Sequence, residues 1–500
     1  MRYFIYKLLV VFVIGCSPPG RHTPDSKLRK KVDSYLSELV ERQQIVGLAV
    51  AATRNDTVLY TGSFGFRSVS SREPMKPSYN FHWASVSKTF VATAILQLVE
   101  EDKIDLDDKV ITYVPYFKQK GDQYQNITIK QMLNHTSGIG DVQDYQWDKP
   151  QNDDGAPERY VRSLENDEMV FAPGTDWSYS NTAYEILGVV ITNVSGMPFE
   201  TYVKNNILEP LEMYHSSFIY PEIPDSIRVS GHVWAGKAIV SDVYPYNKIH
   251  APSSTLNSNV IEMINYAKAH LHRGVYKDIQ VLADSSYYLL WTNSVNLEEK
   301  PAVGLSWFLN KYKGLKTVSH SGGDTGFRSF FLLVPEKNIS VMVACNYELC
   351  QTRDIAHAVL DLVLGQEPGI VKRQIGIDFA EVLMKNGLDE AKSFYRDTEH
   401  DTTNRRYYLW KEDEGAMTYP GYLLLDQKIF STAVEIFKFN LELHPDSPYA
   451  YAHLGIAYGR SGNRELAILN LRKAIELAPD EQYFKDELKE LEAPSQDHIQ

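Results

Sequence analysis

Apolar residues at Leu28, Val32, Leu36, Leu39 and Val40 recur at three- and four-residue steps and predict an amphipathic helix over 26–43. The period then shortens, and 46–53 and 57–61 read as two strands around an Arg54-Asn55-Asp56 turn. Helical spacing returns with Phe90, Val91, Ala94, Ile95, Leu98 and Val99, predicting a helix with one buried face that has Ser85 in its first turn and ends near Asp102. From 128 to about 213 the pattern is mainly helical and rich in loops, and Ala183, Ile186, Leu187, Val190 and Ile191 mark a buried helix over 182–193. β-type runs return at 305–309, 317–321, 327–334 and 339–345, the last two joined by a Pro335-Glu336-Lys337-Asn338 turn. Strands therefore cluster at both ends of a region spanning 27–365. The expected fold class is α/β of the α+β kind: one antiparallel sheet built from both ends and flanked by helices, with a helical subdomain forming the other wall of a cleft.

Beyond Gln366-Glu367-Pro368-Gly369 the pattern is helical alone, and it repeats. Gly421 and Gly455, Ala433 and Ala467, Phe437 and Leu471, and Pro445 and Pro479 are each 34 residues apart. With Tyr451, Leu454, Tyr458 and Ala474 the second copy resembles a tetratricopeptide repeat, and 387–395 resembles half of an earlier unit. The resemblance implies an all-α solenoid over 370–500, capped by 484–491, that offers a surface to a protein partner. So few units are expected to pack against the preceding domain.

The amino terminus differs from both regions. Arg2 and Lys7 flank a start that is wholly apolar from Leu8 to Ile14, too short to span a bilayer and patterned as a secretory signal over 1–15. Val13-Ile14-Gly15-Cys16 resembles a bacterial lipobox, which implies cleavage before Cys16, lipid attachment to its sulfur and an extracytoplasmic, membrane-tethered protein. Residues 16–26 then form a tether. Export makes a disulfide between Cys345 and Cys350 permissible, and two free buried thiols fit equally well. A formal net charge of −13 without a basic stripe argues against a nucleic-acid partner. Asp105-Leu106-Asp107-Asp108 lacks the glycine and terminal glutamate of a calcium loop and reads as a solvated turn.

Chemistry enters at Ser85-Val86-Ser87-Lys88. A serine hydroxyl needs a base, and a lysine three residues on along a helix stands on the same face. Desolvation near a helix N-terminus favours the neutral amine that can take the proton. Two later stretches supply partners. Tyr179-Ser180-Asn181, after the turn at Pro173-Gly174, offers a tyrosinate to relay a proton and an amide to hold a substrate carbonyl. His320-Ser321-Gly322-Gly323 ends a strand with His320 and Gly322 on one face, where a glycine lets a substrate backbone lie alongside. The N–H groups of Ser85 and Gly323 would form an oxyanion hole. The rival matches Tyr124-Gln125-Asn126 and His453-Leu454-Gly455 are read as a helix cap and as helix packing, and His135 as a structural, hydrogen-bonded histidine.

In this order the three motifs resemble those of the serine β-lactamase and penicillin-binding protein superfamily, nearest its class C β-lactamase-like branch of D,D-peptidases and esterases. The resemblance covers roughly 30–360 and includes Thr136-Ser137-Gly138, Phe171-Ala172-Pro173-Gly174 and Glu209-Pro210-Leu211-Glu212-Met213. It implies an acyl-serine mechanism with Ser85 as nucleophile, Lys88 and Tyr179 moving protons, Asn181, His320, Gly322 and Gly323 binding substrate, and neither cofactor nor metal. Expected substrates are small peptides of D-amino acids, as in a D,D-carboxypeptidase, or β-lactam-like compounds, with esters as the alternative. His320 replaces the lysine of typical β-lactamases and removes a permanent charge for a substrate carboxylate, which favours a peptidase or esterase. Arg328, a few residues on, is a candidate to bind a carboxylate instead, although an isolated arginine reads first as a surface residue. A scaffold that merely binds ligands is the alternative, and the presence of every motif position stands against it.

Overall fold

The computed structural model describes residues 26–295, 297–410 and 414–492. The signal, Cys16 and the tether as far as residue 25 lie outside them, and Ser26 opens the first helix. The framework is a six-stranded antiparallel sheet of β1 (Gly47–Arg54), β2 (Thr57–Gly65), β3 (Phe308–Tyr312), β4 (Leu315–Asp324), β5 (Phe327–Val334) and β6 (Ile339–Cys345), in the order β2-β1-β6-β5-β4-β3. Strands from the two ends of the region meet at the β1–β6 pair, where Leu48 faces Cys345 and Arg54 faces Ile339. The turn between β1 and β2 places Asn55 at φ 53°, a left-handed position that asparagine adopts readily. The third apolar run is displaced from its expected place: the strand is Phe308–Tyr312, because the chain before it is drawn into loop bonds from Ser306 to Leu133 and from Gly304 to Trp307.

Both faces of the sheet are buried, which explains why its central strands read as continuous apolar runs instead of alternating ones. Ala49, Ala51, Phe331, Leu333, Met342 and Ala344 point to an inner core shared with α2 (Ser87–Glu100), α3 (Asn181–Ser195) and α4 (Val260–Leu271). Leu48, Val50, Phe330, Leu332, Val341 and Val343 point the other way, to an outer core beneath α1 (Ser26–Gln43) and α5 (Thr352–Val363). The helix α2 departs from the one-sided pattern expected of it. Every residue from Ser87 to Leu96 is buried, so it is a central helix packed on all sides.

The outer core continues into the carboxy-terminal helices. Phe379, Ala391, Ala433, Phe437, Phe439 and Leu454 belong to the same apolar cluster as Val50 and Leu332. Phe379 stacks on Phe439 with ring centroids 4.6 Å apart. The buried Arg373 donates to the Gln43 carbonyl oxygen of α1 (2.7 Å), to Asp378 (2.6 Å) and to Glu381 (3.1 Å). Trp234 donates its indole N–H to Glu381 as well. The 34-residue spacing has a packing counterpart: Gly421 faces the Phe437 ring, and Gly455 faces Leu471 in the equivalent place, both too closely for a larger residue without a shift. Cys345 and Cys350 are buried free thiols, and burial pushes the Cys350 thiol well above its ordinary value.

One cluster joining sheet and helices predicts a shared unfolding transition. Phe379→Ala should cost about 3–5 kcal/mol and lower a single calorimetric transition of the whole chain. Two separate transitions, with only one displaced, would show that the helices melt on their own.

Candidate active site

Ser85 stands on a sharp turn ahead of the helix, not in its first turn as the spacing suggests. Phe81–His82 and Asn257–Ser258 form a two-residue antiparallel ladder. Trp83 then donates its backbone N–H to Leu256 (2.8 Å) and its indole N–H to Ser258 (2.9 Å). Ala84 adopts φ 47°, costly for a residue with a side chain, and Ala84–Val86 makes a single 3₁₀ turn into α2. The sheet clamps this turn from its other side. Ser329 of β5 donates its hydroxyl to the Trp83 carbonyl oxygen (2.7 Å). Gly322 approaches so closely that a Cβ would collide with that oxygen and with Ser329 Oγ. Glycine is therefore needed at 322 to admit the protein's own backbone, a correction to the expectation that it admits a substrate's. β3 pairs only with Leu315–Ser319, so no described strand covers the 321–323 edge of β4 beside the turn.

Lys88 is fully buried in the first turn of α2. Its Nζ lies 3.1 Å from Ser85 Oγ, 2.5 Å from Asn181 Oδ1 and 2.8 Å from the Ser253 carbonyl oxygen. The amide and carbonyl oxygens can only accept. A neutral amine has two N–H donors and one lone pair, so donating to those two oxygens leaves the lone pair for the Ser85 hydroxyl. Burial pulls the Lys88 pKa down to about 8, against the opposing pull of the Glu185, Asp324 and Asp141 carboxylates.

Tyr179 arrives just ahead of α3, whose first turn is capped by Ser180 Oγ accepting from Ala183 N–H (3.1 Å). Lys88 Nζ is 5.0 Å from the centre of the Tyr179 ring. Burial raises the Tyr179 pKa well above its ordinary value, only partly offset by a hydrogen bond with Ser85. The residue is thus a neutral phenol at rest, where the sequence suggested a tyrosinate. His135 holds this segment in place: its Nδ1 accepts from the Ser180 N–H (3.2 Å), its carbonyl accepts from the Ser178 N–H (3.0 Å), and its ring stacks on Tyr179 at 4.4 Å. That is the structural, hydrogen-bonded setting expected of His135. Asn181 is engaged at both ends, its Nδ2 donating to Asp141 Oδ1 (3.0 Å) while its Oδ1 meets Lys88. In this arrangement it holds the lysine instead of presenting its amide to a substrate.

His320 faces the same core as Ser85 and Lys88 from β4. Its Nδ1–H donates to the Ser321 carbonyl (2.7 Å), and Phe308 packs on the ring. Burial and the nearby Lys88 pull its pKa down to about 3, so it carries no charge at neutral pH. Arg328 does not compensate. It projects beside Gly323 on the outer face of the sheet, where it donates to the Asp324 (2.8 Å) and Phe327 (2.7 Å) carbonyls. The rival motifs lie elsewhere, Tyr124 and Asn126 in a 3₁₀ turn at Gln123–Asn126 and His453 within the helix Pro448–Arg460.

Sequence reasoning missed the groups that hold this set together. Asp141 comes from a loop and the Ser253 carbonyl from a single helical turn at Ala251–Ser254, neither with a readable period. Asp324 binds His82 Nε2 (2.7 Å) and the Ser254 hydroxyl at the end of β4. Glu185 alone left a usable signal, because it follows Asn181 by four residues on a helix and shares its face.

A beta-lactamase family model matches residues 32–364. Protein flp of Staphylococcus aureus (strain MRSA252) is 29% identical over 329 residues, a stretch spanning 65% of this chain and 64% of that protein. The chain thus spans less than two thirds of the length of this relative. Penicillin-binding protein 4* of Bacillus subtilis (strain 168) is 27% identical over 349 residues, 64% of this chain and 72% of its own. The solved octameric penicillin-binding protein homologue from Pyrococcus abyssi is similar with a TM-score of 0.61 and 27% identity, over 71% of this chain and 81% of that one.

If Lys88 accepts the Ser85 proton, only its neutral form acts, and the rate must rise with pH through the lysine's midpoint. Labelling of Ser85 by a fluorophosphonate should therefore increase up to a plateau with an inflection near about 8, and Lys88→Met should slow it about 100- to 10,000-fold. A rate flat from about pH 6 to 10 would exclude this base.

Proposed function

The chain belongs to the beta-lactamase family, and on that premise we propose that it hydrolyses amide or ester bonds through an acyl-Ser85 intermediate. The observation that carries the reading is the 3.1 Å contact between Ser85 Oγ and a buried lysine whose other two neighbours are pure acceptors. Lys88 takes the hydroxyl proton as Ser85 Oγ bonds to the substrate carbonyl carbon. The N–H groups of Ser85 and Gly323 receive the developing oxyanion. Tyr179, a neutral phenol, passes its proton to the departing amine or alkoxide and regains one from the Lys88 ammonium. Water then attacks the acyl carbon, gives its proton to the same pair, and Ser85 leaves with a proton restored.

Charge around the site supports substrates that carry no free carboxylate next to the scissile bond. His320 is neutral, Arg328 faces the opposite side of the sheet, and Lys88 is spent on its three partners. The charged groups that act on the lysine are carboxylates, at Glu185, Asp324 and Asp141. D-amino-acid amides, amidated peptides and short esters suit this setting better than free-acid D-alanyl peptides or β-lactams, whose carboxylate would meet no free cation there.

The remaining organisation is proposed on the sequence. The apolar leader and Cys16 support an exported bacterial lipoprotein, and radiolabelled palmitate incorporation lost in Cys16→Ala tests it. The repeated Gly–Phe and Gly–Leu packing at 421/437 and 455/471 supports a tetratricopeptide array that recruits a protein partner.

A panel of D-alanyl-D-alanine, its carboxy-terminal amide and its methyl ester tests the substrate reading. The amide and ester should be turned over at least about tenfold faster in kcat/KM than the free acid, and all activity should vanish in Ser85→Ala. Preference for the free acid would reject the charge argument. Activity that survives in Ser85→Ala would reject the nucleophile.

A further inference from the structure

Behind Lys88, away from Ser85, lies a second set of buried polar groups to which the proposed mechanism gives no part. Glu185 and His250 are 2% and 1% exposed. Glu185 Oε1 accepts from the Ser253 hydroxyl (2.5 Å) and from His250 Nδ1–H (3.0 Å), while its Oε2 meets no donor among the described residues. Ser253 thus bridges two groups at once: its carbonyl accepts from Lys88 Nζ and its hydroxyl donates to Glu185. Helix geometry completes the connection, because Asn181, the other acceptor on Lys88, is one turn before Glu185 on α3. Tyr145, Trp147 and Tyr160 ring His250 at centroid distances of 4.9, 5.4 and 5.7 Å and shut the cluster off from water.

A carboxylate at this depth is tolerated only where opposite charge or donors offset its desolvation. Its two donors sit on one oxygen, and the amine joined to it through Ser253 is that of Lys88, a cation when protonated. We propose that Glu185 is a positioning residue for Lys88: held by His250 and Ser253, it fixes the Ser253 carbonyl against the amine and sets by its charge how much of the lysine is free base. The inference rests on the reading of Lys88 as the base for Ser85. Other ionisable groups also face the amine, namely Asp141 from the loop before α3, Asp324 and His320 from β4, His135, and the Tyr179 and Tyr184 phenols. The two histidines are held neutral by burial and the phenols by desolvation, so the carboxylates alone supply charge. Glu185 heads the three in its effect on Lys88.

The experiment reads Lys88 directly. In full-length protein labelled with ¹³C at lysine Cε, the Lys88 resonance is identified by its loss in Lys88→Arg and titrated with pH. Glu185→Gln keeps the shape and removes the charge, so the midpoint should fall by roughly one pH unit, and the acid limb of Ser85 labelling should move down with it. A midpoint within roughly 0.2 unit of the parent in folded Glu185→Gln overturns the proposal. If that variant does not fold, Glu185→Asp, which withdraws the carboxylate by one methylene, should produce a smaller fall, and an unmoved midpoint again overturns it. A shifted midpoint in a chain that hydrolyses nothing and labels nowhere upholds the coupling and defeats the hydrolase reading instead.

Discussion

A lysine with no exposed surface, bonded to a serine hydroxyl and two oxygens that cannot donate, is the constraint from which the rest of this structure follows. An ammonium in that position would aim all three N–H bonds at acceptors and have nothing with which to take a proton. The neutral amine fits the same three neighbours with its lone pair turned to Ser85. Desolvation favours the second form and the surrounding carboxylates the first. Desolvation outweighs the carboxylates and brings the group down to about 8, close to neutrality, where a base is most useful.

Such a site has to be held rigidly, and the architecture supplies the means. The Ser85 turn is pinned on one side by the Trp83 bonds to Leu256 and Ser258, and on the other by Ser329 and the absence of a side chain at Gly322. Ser329 belongs to β5, whose opposite face at Phe330, Leu332 and Val334 lies in the outer core beneath α1, α5 and the carboxy-terminal helices. Ser321 and Gly323, on the opposite face of β4, are exposed. The helical array thus acts on the site at one remove, by closing the far side of the β5 strand that clamps the nucleophile. Arg328 illustrates the link, since it is paired with Gly323 across the β4–β5 ladder, bonds the Asp324 carbonyl, and lies near Tyr419 of the helical region.

Where periodicity was strong, the chain could be read directly. The helix at Ser26–Gln43 and the strands at Phe327–Val334 and Ile339–Cys345 lie where their apolar patterns put them. The serine, lysine, tyrosine and histidine motifs do converge around Lys88. What pattern could not supply was orientation. A glycine that admits a substrate and a glycine that admits Trp83 are spelled identically, and alternation along β5 could not say that Arg328 falls on the outer face. The carboxylates around the lysine were also hidden, because Asp141 and Asp324 reach it from loop and strand-end positions whose placement depends on tertiary packing. The tyrosinate expectation failed for a related reason: burial depth decides the ionisation of Tyr179, and depth is not written in a three-residue motif.

Ionisation also explains why histidine is tolerable at position 320. A permanent cation at 320, beside a buried lysine, would disfavour the charged form of that lysine further. A buried imidazole that stays neutral avoids this conflict, and His135 is neutral for the same cause. The site therefore holds one titrating amine among three carboxylates instead of two competing cations. The charge opposite that amine is supplied internally, by Glu185, Asp324 and Asp141. That internal balance, more than any single motif residue, is what the proposed preference for substrates without a free carboxylate rests on.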